Sequence, residues 1–437
     1  MEYYSTNGQA PVADLKKAVV KGLAEDKGLY MPQTIKTLPK AFFDEIHNLS
    51  FQDIAYNVAS AFFGEDVDLD ALQDIVYDTL SFDCPVVKVT DNIYSLELFH
   101  GPTLAFKDVG ARFMARLLRY FTQNTRKTKS HPINVLVATS GDTGSAVANG
   151  FLGVDGIHVY VLYPKGKVSP IQECQFTTLG KNITAIEVDG VFDDCQALVK
   201  SAFMDEELNQ HMKLTSANSI NVARFLPQAF YYFNAYAQMK RQGLDRPFVV
   251  CVPSGNFGNI CAGLFAKRMG LPIERFIAAN NANSVFYEYL QTGKYNPRPS
   301  IQTIANAMDV GAPSNFARVY DLYNKDYEAI CQDISGATYS DAQIADTMRE
   351  VYQKTGYVCD PHGACGYRAL AEGLRADEMG VFLETAHPAK FKTTVDDILG
   401  TDIEIPAKLQ AFMKGTKQSV PMTKEFDDFK AYLMQQP

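Results

Sequence analysis

The chain has 437 residues, a formal charge of −9, 46% hydrophobic residues and 21% charged ones. That length supports two or three domains with substantial cores, and the balance excludes a disordered, fibrous or small disulfide-stapled chain. The mild acidity, with no Lys/Arg tract interleaved with aromatics, sets nucleic acid aside as a partner, so an anionic substrate would need a local basic pocket.

The opening MEYYSTNGQAPVADLKK lacks the basic start and apolar core of a signal peptide, and no later run approaches a membrane span. A cytoplasmic protein with no membrane partner is expected, and a monomer. Residues 1–92 are expected to form a mainly helical N-terminal domain: Val12, Leu15, Val19 and Leu23 share one helical face, and further helices are expected around 40–63 and 68–80. From about residue 93, short apolar strands alternate with helices, the order that builds parallel sheets. Residues 93–136 and 216–437 are assigned to a large α/β domain and 137–215 to a small α/β domain.

In ELFHGPTLAFKDVGARFMARLLRY (97–120), Gly101 and Pro102 mark a turn, and Val109, Phe113, Leu117 and Phe121 draw a stripe along the helix that follows. Lys107 therefore stands near a helix N-terminus. The partial positive charge there, with any desolvation, favours the neutral amine, the form that attacks an aldehyde. NVLVAT (134–139) is a strand, SGDTG (140–144) a tight loop and SAVANGFLG the start of a helix. HVYVLYP, a helix around 169–179, and ITAIEVD with a helix from Asp193 repeat the alternation. SANSINVARFLPQAFYYFNAYAQMK (216–240) is helical after its polar start, and FVVCVP leads into SGNFGN (254–259) and a helix stopped by Gly270 and Pro272. The stretch 280–320, rich in Asn, Gly and Pro, is expected to be a long loop. The eight cysteines are scattered through apolar or helical stretches, as suits reduced, buried thiols. Cys359, His362 and Cys365 come nearest to a metal cluster but have no evident fourth ligand, so no metal is expected.

SGNFGN follows a strand and opens a helix, so its backbone N–H groups can converge on an anion favoured by the helix dipole. It has neither the Walker nor the GxGxxG spacing. SGDTG has the same setting, offers two hydroxyls as well, and could hold a carboxylate. Taken singly, each loop also fits a plain turn between strand and helix. Their order behind the lysine is the informative feature.

With LFHGPTLAFKD (98–108), TSGDTGSAV, YPKGKVSP, SANSIN, VPSGNFGN, NAMDVGAPSNF, DPHGACGY and TAHPAKF (385–391) in place, the chain resembles the threonine synthase family. These are pyridoxal 5'-phosphate (PLP) enzymes of fold type II, the tryptophan synthase β fold. LFHGPTLAFKD and TAHPAKF are specific to the family, whereas the two Gly-rich loops are shared with other fold type II enzymes. The resemblance implies that Lys107 carries the cofactor and later moves protons on the substrate, and that Gly255, Asn256, Phe257, Gly258 and Asn259 bind the cofactor phosphate. It implies that Ser140, Gly141, Asp142 and Thr143 face the substrate carboxylate and the phenolic edge of PLP, and that the Thr385 hydroxyl meets the pyridine nitrogen. The implied reaction turns O-phospho-L-homoserine and water into L-threonine and phosphate, with Ser216, Asn218, Ser219 and Arg224 as candidates for the substrate phosphate. The sequence departs from the family pattern at Asn283, Ser284, Gly363 and Cys365. The alternatives are a sister lyase, such as a serine or threonine dehydratase or a cysteine synthase, and a PLP-binding regulator that has lost turnover.

Overall fold

The apolar runs FVVCVP and INVLVA are buried along their whole length, as strands covered on both faces must be, and each lies inside a parallel sheet. The computed structural model describes residues 1–123 and 131–437. Two units are built from interleaved stretches. One takes Met1–Glu2, Met31–Phe106 and Phe225–Glu404, the other Tyr3–Tyr30, Lys107–Arg224 and Ile405–Pro437.

In the first unit six strands run in the order Ile334–Thr338, Arg275–Asn280, Phe248–Pro253, Met379–Glu384, Ile93–Glu97 and Val86–Lys88. All neighbours are parallel except the last pair, which is antiparallel. A core that includes Val249, Cys251, Ile277, Leu370 and Phe382 joins this sheet to the helices Asp341–Thr355 and Pro361–Gly373. In the second unit five parallel strands run in the order Val420–Thr423, Ile183–Asp189, Ile157–Pro164, Ile133–Ala138 and Lys213–Ser216. Leu136, Leu162, Ile186 and Leu198 lie in its core.

The N-terminal region carries the helices Leu15–Lys21, Lys40–Glu45, Phe51–Phe63 and Leu69–Thr79. Val12, expected on the first helical face, lies outside it and is exposed; Asp14 accepts the Lys17 N–H at 2.8 Å and starts the helix at Leu15. Three short strands, Glu2–Ser5, Ala13–Asp14 and Tyr30–Pro32, form a small sheet that the helical periodicity did not announce. The stretch 280–320 is no continuous loop, since Val285–Thr292 and Phe316–Leu322 are helices. Among the described residues no helix is long and apolar enough to cross a membrane.

The units differ from the expected division. Residues 1–92 are shared between both units, and the segments 107–136, 216–224 and 405–437, expected in the large domain, belong to the second unit. Strand pairing is the reason. Val420–Thr423 adds to the edge of the five-stranded sheet beside Ile183–Asp189, and the helix Phe426–Met434 buries Phe429 and Leu433 in that unit's core. Truncating Phe429 to Ala should therefore destabilise the protein by about 3–5 kcal/mol, the usual cost of emptying a buried aromatic site. Urea unfolding measures this; an unchanged midpoint would make the C-terminal segment a mere appendage.

Candidate active site

Parallel strands deliver their following loops to one edge of a sheet, the edge where α/β proteins bind ligands. In the first unit Phe248–Pro253 and Met379–Glu384 are neighbours with Cys251 opposite Phe382, so SGNFGN and Thr385 leave the sheet side by side. Phe257 takes a left-handed conformation (φ 65°) and opens the helix Gly258–Arg268. Gly255 is required by close approach, since a Cβ there would stand 2.6 Å from the Ala307 carbonyl oxygen. Asn259 is the most informative residue. Its Oδ1 accepts from the hydroxyls of Tyr231 at 2.6 Å and Tyr232 at 2.8 Å, both kept protonated because burial pushes them well above the usual phenol range. The amide is thereby turned so that its Nδ2, buried and without an acceptor among the described residues, is left to donate. That donor, on the second residue of a helix, fits a bound phosphate. The loop is held from another side by Asn315, whose N–H donates to the Asn256 carbonyl at 3.1 Å and whose Oδ1 accepts from buried Arg318 at 2.8 Å.

The same edge carries a clamp. The Phe106 N–H donates to the Thr385 carbonyl at 2.9 Å and the His387 N–H to the Leu104 carbonyl at 3.0 Å. The buried Lys390 ammonium donates to the Thr103 carbonyl at 2.8 Å. Leu104 sits at φ 59°, a conformation that a branched apolar residue adopts only when its surroundings impose it. Lys107 follows Phe106 directly and is the first residue of the helix Lys107–Gln123. It is half-buried, while Val109, Phe113 and Leu117 of the expected stripe are fully buried.

In the second unit the strands Ile133–Ala138 and Lys213–Ser216 are neighbours, and they release SGDTG and SANS at one edge. Thr139, the first residue of the TSGDTGSAV segment and no expected site residue, accepts the N–H groups of Gly141 at 2.9 Å and Gly144 at 2.8 Å and so folds the SGDTG loop. A hydroxyl residue just before a Gly-rich turn was the available signal. Gly141 has φ 143°, and a Cβ on it would stand 2.5 Å from Gln172 Cδ. Gln172 Nε2 donates to Asp142 Oδ1 at 3.0 Å, which occupies one oxygen of a carboxylate expected to face ligand; no local pattern marks Gln172. Ser140 and Thr143 are half-buried. Asn218 ties SANS to the neighbouring strand, donating to the Ala138 carbonyl at 3.2 Å and, through its N–H, to Ser216 Oγ at 3.3 Å; Ser219 beside it is half-buried.

Arg224, a candidate for the substrate phosphate, lies in the interior of the second unit. It is 1% exposed and its guanidinium donates to the Ala217 carbonyl. Burial draws its pKa down to about 10, with the charge of Asp108 acting the other way, so it remains a cation. Asn283, one of the departures from the family pattern, braces a turn by accepting the Ile301 N–H at 2.8 Å, and Gly363 is forced because a Cβ there would fall 1.8 Å from Glu384 Oε2. The trio Cys359, His362 and Cys365 forms no metal-ligand group among the described residues. Both His362 ring nitrogens are engaged by Asp360 and Ala307, and burial pushes both thiols well above their usual range.

Known proteins resemble this chain along its whole length. Residues 85–383 match a family model described as "Pyridoxal-phosphate dependent enzyme", residues 2–80 one described as "Threonine synthase N terminus", and residues 363–433 one described as "Threonine synthase, C-terminal". A threonine synthase of Haemophilus influenzae is 43% identical over 434 residues, 99% of this chain and 100% of that protein. The crystal structure of threonine synthase from Escherichia coli superposes with a TM-score of 0.93 at 41% identity, covering 100% of both chains. That of PLP-bound threonine synthase from Brucella melitensis does so with 0.92 at 35% identity, covering 99% of each. The chain belongs to the threonine synthase family, PLP-dependent lyases of fold type II.

Proposed function

We propose that the substrate is O-phospho-L-homoserine and that the products are L-threonine and inorganic phosphate. The observation that carries the cofactor side of this reading is the Asn259 amide, oriented by two buried tyrosines so that a single buried donor is left for an anion. The substrate side rests on membership of the family along the whole chain. In the balanced reaction a proton leaves Cα and another leaves Cβ, the Cγ–O bond breaks with release of phosphate, water adds at Cβ and protons return to Cα and Cγ.

PLP, when bound, supplies an electron sink that stabilises negative charge developing on the substrate carbons. Residues 255–259 would hold its phosphate, and the Thr385 hydroxyl would meet its ring nitrogen. A hydroxyl there can donate or accept, and it does not hold a proton on the nitrogen by charge pairing as a carboxylate would. Lys107 Nζ is the attachment point and then the base that takes the protons from Cα and Cβ. The hydroxyls of Ser140 and Thr143 and the backbone donors of Ser140, Asp142 and Thr143 hold the substrate carboxylate, while Gly141, its N–H tied to Thr139, leaves room for it. Ser216, Asn218, Ser219 and Arg224 offer polar groups to the substrate phosphate, and the Arg224 guanidinium also donates to the Ala217 carbonyl within their loop.

Borohydride should fix the cofactor to the peptide that contains Lys107, and Lys107→Ala should lower turnover by about a thousandfold or more while far-UV circular dichroism stays that of the parent. A label on another lysine removes the assignment.

The sister lyases differ in the fate of the substrate. A dehydratase lets its unsaturated product go to a 2-oxo acid, whereas this reaction retains it until water reaches Cβ. Phosphate and threonine should therefore appear in equal amounts with little 2-oxobutyrate; a predominance of 2-oxobutyrate, or faster turnover of serine, assigns the chain to the dehydratases instead.

Gly141→Val should depress threonine formation by about a hundredfold with cofactor retained, because the new side chain meets Gln172 and the φ of 143° is unsuited to it. Steady-state kinetics beside the cofactor absorbance test this, and loss of PLP together with activity would show that the loop serves the cofactor rather than the substrate.

A further inference from the structure

Asp360 and His362 open the helix Pro361–Gly373, and both are closed to solvent, at 0% and 2% exposure. Asp360 Oδ1 caps the helix by accepting the Gly363 N–H at 2.8 Å, and its Oδ2 lies 2.6 Å from His362 Nδ1. On the far side of the ring, Nε2 stands 3.1 Å from the backbone nitrogen of Ala307. A backbone N–H can only donate, so Nε2 is the acceptor and the ring proton sits on Nδ1, where Asp360 receives it.

Ala307 is the middle residue of the turn Asn306–Met308, and its carbonyl oxygen is the atom that a Cβ on Gly255 would meet at 2.6 Å. The turn is thus a wall packed on the SGNFGN loop. Its flanks are tied separately, Ala305 through its carbonyl to Asn281 Nδ2 at 3.1 Å and Asp309 through its carboxylate to the Thr303 N–H at 3.0 Å. The Ala307 N–H itself is held by His362.

We propose that Asp360 and His362 form a positioning pair for the cofactor phosphate: by holding Ala307 they fix the wall against which Gly255 packs, and so set the grip of residues 255–259 on the anion. The pair acts through Ala307 and touches no ligand itself. This inference rests on the assignment of that loop to the PLP phosphate.

Two variants break the pair differently. Asp360→Asn keeps an oxygen for the Gly363 N–H but presents an amide donor to Nδ1, which drives the ring proton to Nε2 and sets two donors against each other at Ala307. His362→Leu removes the acceptor, and His362→Gln returns an acceptor at nearly the same place. Full-length protein stripped of cofactor is titrated with PLP and with pyridoxal, which lacks the phosphate. Asp360→Asn and His362→Leu should bind PLP about tenfold or more weakly, with pyridoxal affinity unchanged, and His362→Gln should recover most of the loss. Unaltered PLP affinity in both disrupted variants overturns the proposal, as does an equal loss for PLP and pyridoxal, which marks general damage. If His362→Leu does not fold, Asp360→Asn decides by the same two titrations. A parent protein that binds PLP no better than pyridoxal fails at an earlier step, because it removes the phosphate assignment itself.

Discussion

Residues 103–106 are locked to residues 385–390 by bonds that join positions up to 287 apart in the chain. Two backbone bonds set the register and the Lys390 ammonium closes the pairing from a fully buried position. The left-handed Leu104 costs roughly 1–3 kcal/mol and persists only because this pairing over-determines it. What the clamp achieves is placement. Its bond between Phe106 and Thr385 fixes the last residue before the helix that Lys107 begins. LFHGPTLAFKD and TAHPAKF, the two segments most specific to the family, are the two halves of this one contact.

The clamp works because the sheet beneath it is parallel. Strands that run the same way end at the same edge, and in each unit two neighbouring strands deliver two motifs there: SGNFGN with Thr385 in one, SGDTG with SANS in the other. Each loop is then shaped by side chains from elsewhere in its own unit. Thr139 and Gln172 fold and brace SGDTG, and Tyr231, Tyr232, Asn315 and the turn at Ala307 surround SGNFGN. The glycines at 141, 255 and 363 are needed where a neighbour comes too close for any Cβ.

Buried polar groups around the SGNFGN loop satisfy one another in chains. Asp360 holds His362, His362 holds Ala307, Arg318 holds Asn315, and Asn315 holds Asn256. Breaking any link leaves a desolvated donor or acceptor, which costs more than the net worth of the bond that was lost. Such a network favours one arrangement of the loop over its alternatives. The Asn259 Nδ2, left over when these demands are met, is a consequence of that economy.

Local features of the chain determined a large share of this. Apolar runs bounded by turn residues marked the strands, the four-residue spacing behind Lys107 marked its helix, and the two Gly-rich loops fell where strand meets helix, because each depends on the conformation of a few consecutive residues. The tertiary structure decided what depends on distant partners. It sent residues 405–437 to the second unit through an edge strand, turned Arg224 inward toward Asp108, and used His362 as the prop of a turn instead of a metal ligand. It recruited Gln172, Tyr231 and Tyr232, none of which carries a mark in its own neighbourhood, and gave Ala307 of the NAMDVGAPSNF segment a role that the segment did not announce. Periodicity records which face of an element is apolar; which other element will cover that face, and which polar atom will find which partner, is settled only when the sheets assemble and every buried donor must be met.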